Sequence, residues 1–276
     1  AQLRERTGSF RKLCHLARRD VGGVTHRAAQ VVVNATGPWI DQTNQALGSR
    51  SGYIGGTRGS HLVLDHAGLR EAAGGDMIYF VNRDGRICML YALNGKVLAG
   101  TTDIRTDNPD GVCSDEEVSY ILDSIRQVFP SIQVDRSHVV FRFSGVRPLP
   151  SSTHSIPGRI SRDHSCPLLP PSGGRTFPIY SLVGGKWTTF RAFSEQAAGQ
   201  VLAELGCRRV RGSADLPIGG GRDYPLTEGE RQAWIGRHRQ RTGIAPDRLE
   251  ELLARYGTRA GEYAAFIAEG QDGPLA

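Results

Sequence analysis

The chain has 276 residues, 39% of them hydrophobic, and a formal net charge of +6. That length can bury a sizeable core in one large domain or two smaller ones. No stretch approaches the roughly 18 consecutive apolar residues that a membrane span needs, and no apolar N-terminal signal is present. Residues 1–11 are polar and basic, start without Met and enter mid-pattern, as expected of a fragment. Only Lys12, Lys96 and Lys186 are lysines among 34 basic residues, a bias that reads as gene base composition. No basic run is interleaved with aromatics, which argues against a nucleic-acid partner. Cys14, Cys88, Cys113, Cys166 and Cys207 are scattered without a C-x-x-C pair. This argues against a disulfide framework or a metal site and favours a reducing compartment.

In chain order, residues 9–33 read as two strands ending in the β-branched run Gln30-Val31-Val32-Val33. A short helix is expected from about Trp39 to Leu47, then a Gly/Ser-rich loop over 48–60. His61-Leu62-Val63-Leu64 starts a new strand. Strands over 77–82, 86–92 and 96–102 follow as a meander. Asp84-Gly85 and Asn94-Gly95 supply the positive φ angles of its tight turns. Ser114 and Glu117 form a capping box that opens a helix running to Phe129, stopped by Pro130. Residues 138–143 are a strand running into Ser144-Gly145-Val146-Arg147-Pro148. Residues 150–176 read as loop around a short strand near Ile160. A strand over 177–183 meets Gly184-Gly185-Lys186, and a helix runs from about Thr189 to Leu205. Gly219-Gly220-Gly221 reads as a linker, with helices over 227–241, 246–256 and 258–268 beyond it.

Two of these junctions carry chemistry. A strand, two glycines and a helix start at Gly184-Gly185-Lys186 bring backbone close to a ligand, and free N–H groups and the Lys186 charge favour an anion there. Asn34-Ala35-Thr36-Gly37-Pro38-Trp39 has the same strand–glycine–helix order. Ligands of α/β sheets lie at such strand ends, although a tight turn with Trp39 in the core would look alike. His61, at the mouth of the meander, is a candidate general base. Arg147, and Arg159 and Arg162 beside the short strand, could grip an oxyanion or phosphate; for Arg159 a solvated salt bridge is preferred. No G-x-G-x-x-G opens a strand–helix unit, and no G-x-S-x-G occurs.

Taken in order, six runs resemble the FAD-dependent glycerol-3-phosphate dehydrogenases. They are Val33-Asn34-Ala35-Thr36-Gly37-Pro38-Trp39, Arg58-Gly59-Ser60-His61, Gly100-Thr101-Thr102-Asp103, Ser144-Gly145-Val146-Arg147-Pro148-Leu149, Ile160-Ser161-Arg162-Asp163 and Gly184-Gly185-Lys186-Trp187-Thr188-Thr189. The resemblance covers about residues 20–205. It implies an α/β (α+β) chain: a partial Rossmann-like FAD-binding domain (1–48 and 145–221), an antiparallel-sheet substrate domain (49–144) and the start of a C-terminal helical domain (222–276). It implies oxidation of glycerol 3-phosphate to dihydroxyacetone phosphate by hydride transfer to FAD. Electrons would pass to a quinone, from a cytoplasmic protein peripheral on the inner face of the cell membrane, with a homodimer as a further partner state. His61, Arg147 and Lys186 would be catalytic, with Arg162 holding the substrate phosphate. Ala35, Thr36, Gly37, Gly184, Gly185, Lys186 and Thr188 would approach the FAD. The family's N-terminal glycine-rich motif is not in this sequence, so weak FAD binding and little activity are expected of the chain by itself. Two other readings stand beside this one: an FAD enzyme acting on an amino acid or 2-hydroxy acid, and a non-catalytic fragment.

Overall fold

The computed structural model describes residues 29–152 and 160–270. Contacts divide the chain into two units, Ala1–Arg209 and Val210–Ala276. The strands expected before residue 29, and Arg159, lie outside the described residues.

The first unit is built on two sheets and a two-stranded ribbon. In the smaller sheet β1 (Val32–Asn34) runs parallel to β10 (Ile179–Ser181), which pairs antiparallel with β9 (Leu168–Leu169). The ribbon pairs β8 (His164–Ser165) with β11 (Val183–Gly184). The larger sheet has the order β3-β4-β5-β2-β6, with β7 also on β2. Its strands are β2 (Thr57–Leu64), β3 (Ile78–Val81), β4 (Ile87–Leu93), β5 (Lys96–Gly100), β6 (Ile104–Arg105) and β7 (Val139–Arg147). Every pairing in this sheet is antiparallel, and along β2, as along any strand, alternate residues face opposite sides.

Leu62 and Leu64 on β2 are fully buried against α2 (Ala67–Ala73) and α3 (Asp115–Val128), with Leu69, Leu90, Val97, Val118, Ile121, Leu122 and Ile125 in one cluster. Cys88 is buried in β4, as read from its apolar strand. The α3 capping box forms as expected: Glu117 N donates to Ser114 Oγ at 3.3 Å and Ser114 N to Glu117 Oε2 at 3.0 Å. Helices α1 (Ile40–Ala46) and α4 (Phe190–Glu204) each follow a 3-10 turn, Gly37–Trp39 and Trp187–Thr189.

Several local expectations are corrected. The loop expected over 48–60 ends early, because β2 begins at Thr57; the pairing of Thr57–Ser60 with β7 overrides a Gly/Ser-rich composition. Helix α2 was not expected. Its N-cap is His66, whose Nδ1 accepts from Leu69 N at 3.0 Å, and histidine is not among the usual capping residues. The short strand near Ile160 lies instead at His164–Ser165. The strand over 177–183 is divided at Leu182 into β10, which pairs with β1 and β9, and β11, which pairs with β8.

The second unit is helical: α5 (Glu228–Thr242), α6 (Pro246–Tyr256) and α7 (Ala260–Gly270). Trp234, Ile235, Ile244, Leu249, Leu253, Ala260 and Ala264 form its core, several at helical i,i+4 spacing. Thr227 and Glu230 cap α5, and Gly243 ends it in the left-handed region. Gly219-Gly220-Gly221 is more than a linker. Thr258 N donates to Gly220 O at 2.9 Å, and a Cβ on Gly220 would lie 1.9 Å from Tyr256 O. Both groups are backbone, so neither can swing aside. Gly220→Ala is expected to destabilise this unit by about 2–3 kcal/mol, the cost of an overpacked contact. Urea unfolding followed by helical circular dichroism would check it; a variant within about 0.5 kcal/mol of wild type would refute the close packing.

Among the described residues no helix is long and apolar enough to cross a membrane.

Candidate active site

The face of β2 opposite Leu62 and Leu64 carries Gly59 and His61. Register sets His61 beside Gly100 of β5 on one edge and Phe143 of β7 on the other, and Thr57 beside Arg147. The His61 and Phe143 rings stack at 5.2 Å with 12° between planes. The His61 ring also lies over Gly100, where a Cβ would come within 2.4 Å of Cδ2. The Arg147 guanidinium lies over Gly59 in the same way, 2.3 Å from where a Cβ would be. Arg147 Nη1 is 3.2 Å from Asp103 Oδ1, and Nη2 donates to Thr101 Oγ1 at 3.2 Å. Glycine inside a strand often marks such a close approach.

Burial, and next the Arg147 charge, lower the His61 pKa below its ordinary value near 6.5. Its imidazole is therefore neutral at pH 7 and free to take a proton. Burial also lowers the Arg147 pKa; the Asp103 carboxylate opposes this, while Arg162 and Arg86 press it further down. A guanidinium nevertheless stays charged at any ordinary pH.

A second group of residues sits where the parallel strands β1 and β10 end. Asn34 is buried and organises the turn after β1. Its Oδ1 accepts from Thr36 N at 3.2 Å and Thr36 Oγ1 at 2.7 Å, while Nδ2 donates to Ile40 O at 2.9 Å and Asn44 Oδ1 at 2.7 Å. Asn44 Nδ2 reaches Ser181 Oγ at 3.0 Å, joining this turn to the end of β10. The turns Ala35-Thr36-Gly37 and Gly184-Gly185-Lys186 thus flank adjacent strand ends, each leading into a 3-10 turn and a helix. Ala35, Thr36, Lys186 and Thr188 are exposed. Gly184 and Gly185 have φ of 74° and 91°, which side chains rarely adopt. Thr189, not Thr188, secures the second turn: its Oγ1 accepts from Lys186 N at 3.0 Å. Trp39 does not fill the core; it is 40% exposed and its Nε1 donates to Asp110 Oδ1 at 3.1 Å.

The two groups are joined at Gly184. Its N–H donates to Pro148 O, next to Arg147, at 3.1 Å. It also pairs with His164, so close to the run holding Arg162 that a Cβ on Gly184 would lie 2.3 Å from Asp163 O. Arg162 is exposed, near enough for its charge to act on Arg147. Gly184 therefore links the strand end that carries Arg147 to the run holding Arg162 and to the turn that precedes Lys186. Asp103 and Phe143 belong to the same arrangement and were not singled out in the sequence, because only strand register shows what they touch.

Glycine turns after β1 and at the end of β11, an exposed lysine, and a neutral histidine beside an arginine suit the dinucleotide and the reacting ring of a flavin. Over residues 1–168 the sequence matches the FAD dependent oxidoreductase family, and the chain belongs to that family. A glycerol-3-phosphate dehydrogenase of Synechocystis sp. is 35% identical over 254 residues, covering 87% of this chain and 44% of that protein. D-erythritol 1-phosphate dehydrogenase of Brucella abortus is 31% identical over 219 residues, 76% of this chain and 40% of its own length. The glycerol-3-phosphate dehydrogenase of Bacillus halodurans, solved in complex with FAD, shares the fold with a TM-score of 0.73 at 23% identity, over 97% of this chain and 51% of that one. The chain spans about half or less of the length of each.

Proposed function

We propose that this chain forms the substrate side of an FAD-dependent dehydrogenase that oxidises glycerol 3-phosphate to dihydroxyacetone phosphate. The reading is supported by Arg147 acting on His61, by Arg162 acting on Arg147, and by the hydrogen bond from Gly184 to Pro148 O that joins the glycine turn to the Arg147 strand end. FAD, approached by Ala35, Thr36, Gly37, Gly184, Gly185 and Thr188, supplies the acceptor for the hydride lost from the substrate carbon. The neutral His61 imidazole takes the hydroxyl proton. Arg147 steadies the oxyanion that proton loss creates, and Lys186 adds positive charge at a helix start. Arg162 takes the phosphate, for which a guanidinium fork is the natural grip. Transfer of the electrons to a quinone, at the inner face of the cell membrane and in a homodimer, completes the proposal and rests on the resemblance to the family.

The deciding experiment is addition of glycerol 3-phosphate, without oxygen, to the protein carrying this chain with FAD bound. Bleaching of the flavin is expected, and Arg162→Ala should weaken it far more than it weakens reaction with an unphosphorylated analogue. Bleaching by an amino acid or 2-hydroxy acid in place of the phosphate ester would overturn the substrate assignment. The Brucella relative favours one second reading, a longer polyol phosphate, which faster bleaching by D-erythritol 1-phosphate would establish.

The His61 role sets a pH dependence. A base works only unprotonated, and the His61 pKa lies below the ordinary value. The kcat/KM for glycerol 3-phosphate should therefore rise with pH through a midpoint below about 6.5 and be level at pH 7. A midpoint well above 7 would exclude His61 as the base.

A further inference from the structure

Asp103 follows the end of β5 and stands between two arginines, Arg86 just before β4 and Arg147 at the end of β7. Its Oδ1 lies 3.2 Å from Arg147 Nη1, and its Oδ2 lies 3.8 Å from Arg86 Nη1. The Asp103 side chain is 18% exposed, so its charge is only partly screened by water. The charges of Arg86 and Arg162 both act on Arg147. Among the described residues Asp103 is the carboxylate paired with Arg147. Arginine has a long stem with several rotatable bonds, and Gly59 offers the guanidinium a bare surface with no side chain to confine it. Two like charges repel it, and Asp103, Thr101 Oγ1 and Thr102 O hold it in place, Asp103 alone with an opposite charge among the described residues.

We propose that Asp103 is the positioning residue of this site: its carboxylate holds the Arg147 guanidinium flat over Gly59, next to His61, against repulsion from Arg86 and Arg162. The geometry is independent of the substrate. The dehydrogenase reading enters only in what the positioned guanidinium then does, which is to meet the oxyanion. Asp103 touches neither the reacting atoms nor His61, and its charge is not among those acting on His61. The proposal routes its influence on His61 through Arg147, and that sets the test.

The His61 imidazole would be titrated by NMR in the chain and in four variants, with no flavin or substrate present. Arg147→Met removes the charge that holds the His61 pKa down and should raise it. Asp103→Ala should raise it by most of the same shift, because the released guanidinium swings away. Asp103→Asn keeps an oxygen for Arg147 and should stay nearer wild type. Asp103→Ala placed on Arg147→Met should add nothing, the sign of two residues acting as a unit. An unmoved His61 in Asp103→Ala, or an equal shift with and without Arg147, would overturn the proposal. Since neither flavin nor glycerol 3-phosphate is used, failure here and failure of the dehydrogenase reading are separate results. A second arm measures kcat and KM in the flavin-loaded protein. Asp103→Ala should lower kcat and be partly restored in Asp103→Asn, whereas a purely structural role would lower the melting temperature and leave kcat of the folded fraction unchanged.

Discussion

Glu117→Gln is expected to destabilise the first unit by about 3–5 kcal/mol, the usual cost of removing one partner from a buried ion pair. Glu117 is only 2% exposed, yet it is a carboxylate. Its Oε1 accepts from Ser60 Oγ at 2.8 Å and Thr102 Oγ1 at 2.6 Å, and its Oε2 accepts from Ser114 N at 3.0 Å and lies 2.8 Å from Arg58 Nη2. One side chain thus caps α3 and ties it to β2 and to the segment after β5. Glutamine keeps the shape but replaces an acceptor oxygen with a donor, and leaves Arg58 largely buried with no counter-charge.

The same residue sets a pH window. Burial works to raise the Glu117 pKa, but the hydrogen bonds from Ser114, Thr102 and Ser60 and the Arg58 charge together bring it below the ordinary value. A carboxyl depressed in the folded state contributes stability at pH above its unfolded pKa, near 4.3, and loses that contribution as pH falls through the folded value. The gap between wild type and Glu117→Gln should be full at pH 7 and narrow below about pH 4. Chemical denaturation at both pH values checks this; a gap that does not change with pH would mean that the carboxylate charge is not what is lost.

Gly59→Ala should do the reverse, sparing the fold while disabling the site. The added methyl would occupy the place of the Arg147 guanidinium, 2.3 Å from Nη2. That end of an arginine is free to move, so the strand need not yield and stability should change by less than about 1 kcal/mol. Arg147 cannot remain where it is. A displacement of about 1 Å at a reacting centre commonly costs on the order of 10²-fold in rate, and a loss of that size in kcat/KM is expected. The His61 pKa should rise at the same time, as the guanidinium leaves it. An alanine variant with full activity would show that Arg147 over Gly59 is not the working geometry.

Much of the local structure was legible in the sequence because its causes are local. The capping box at Ser114 and Glu117, the turns at Asp84-Gly85 and Asn94-Gly95, and the Pro246 start of α6 act within a few residues. The order of six short runs was also enough to bring His61, Arg147, Arg162 and Lys186 forward as candidates. The helix at Ala67–Ala73 was not legible, since a histidine supplies its cap. Nor was the true start of β2 at Thr57, where pairing outweighs composition.

Tertiary structure alone decided how the candidates are related. Register on β2 sets His61 between Gly100 and Phe143, and the hydrogen bond from Gly184 to Pro148 O brings the lysine-bearing turn to the strand end holding Arg147. Glycines 59 and 100 entered the sequence reading only as members of two runs, yet each lies beneath a candidate side chain, Arg147 and His61. Glu117 read as a helix cap and Asp103 as the end of one of the six runs, but the folded chain gives them partners 57 and 44 residues away. The physical reason is one of range: caps and turns are fixed by neighbours along the chain, whereas the place of a charge depends on which strands the sheet sets side by side.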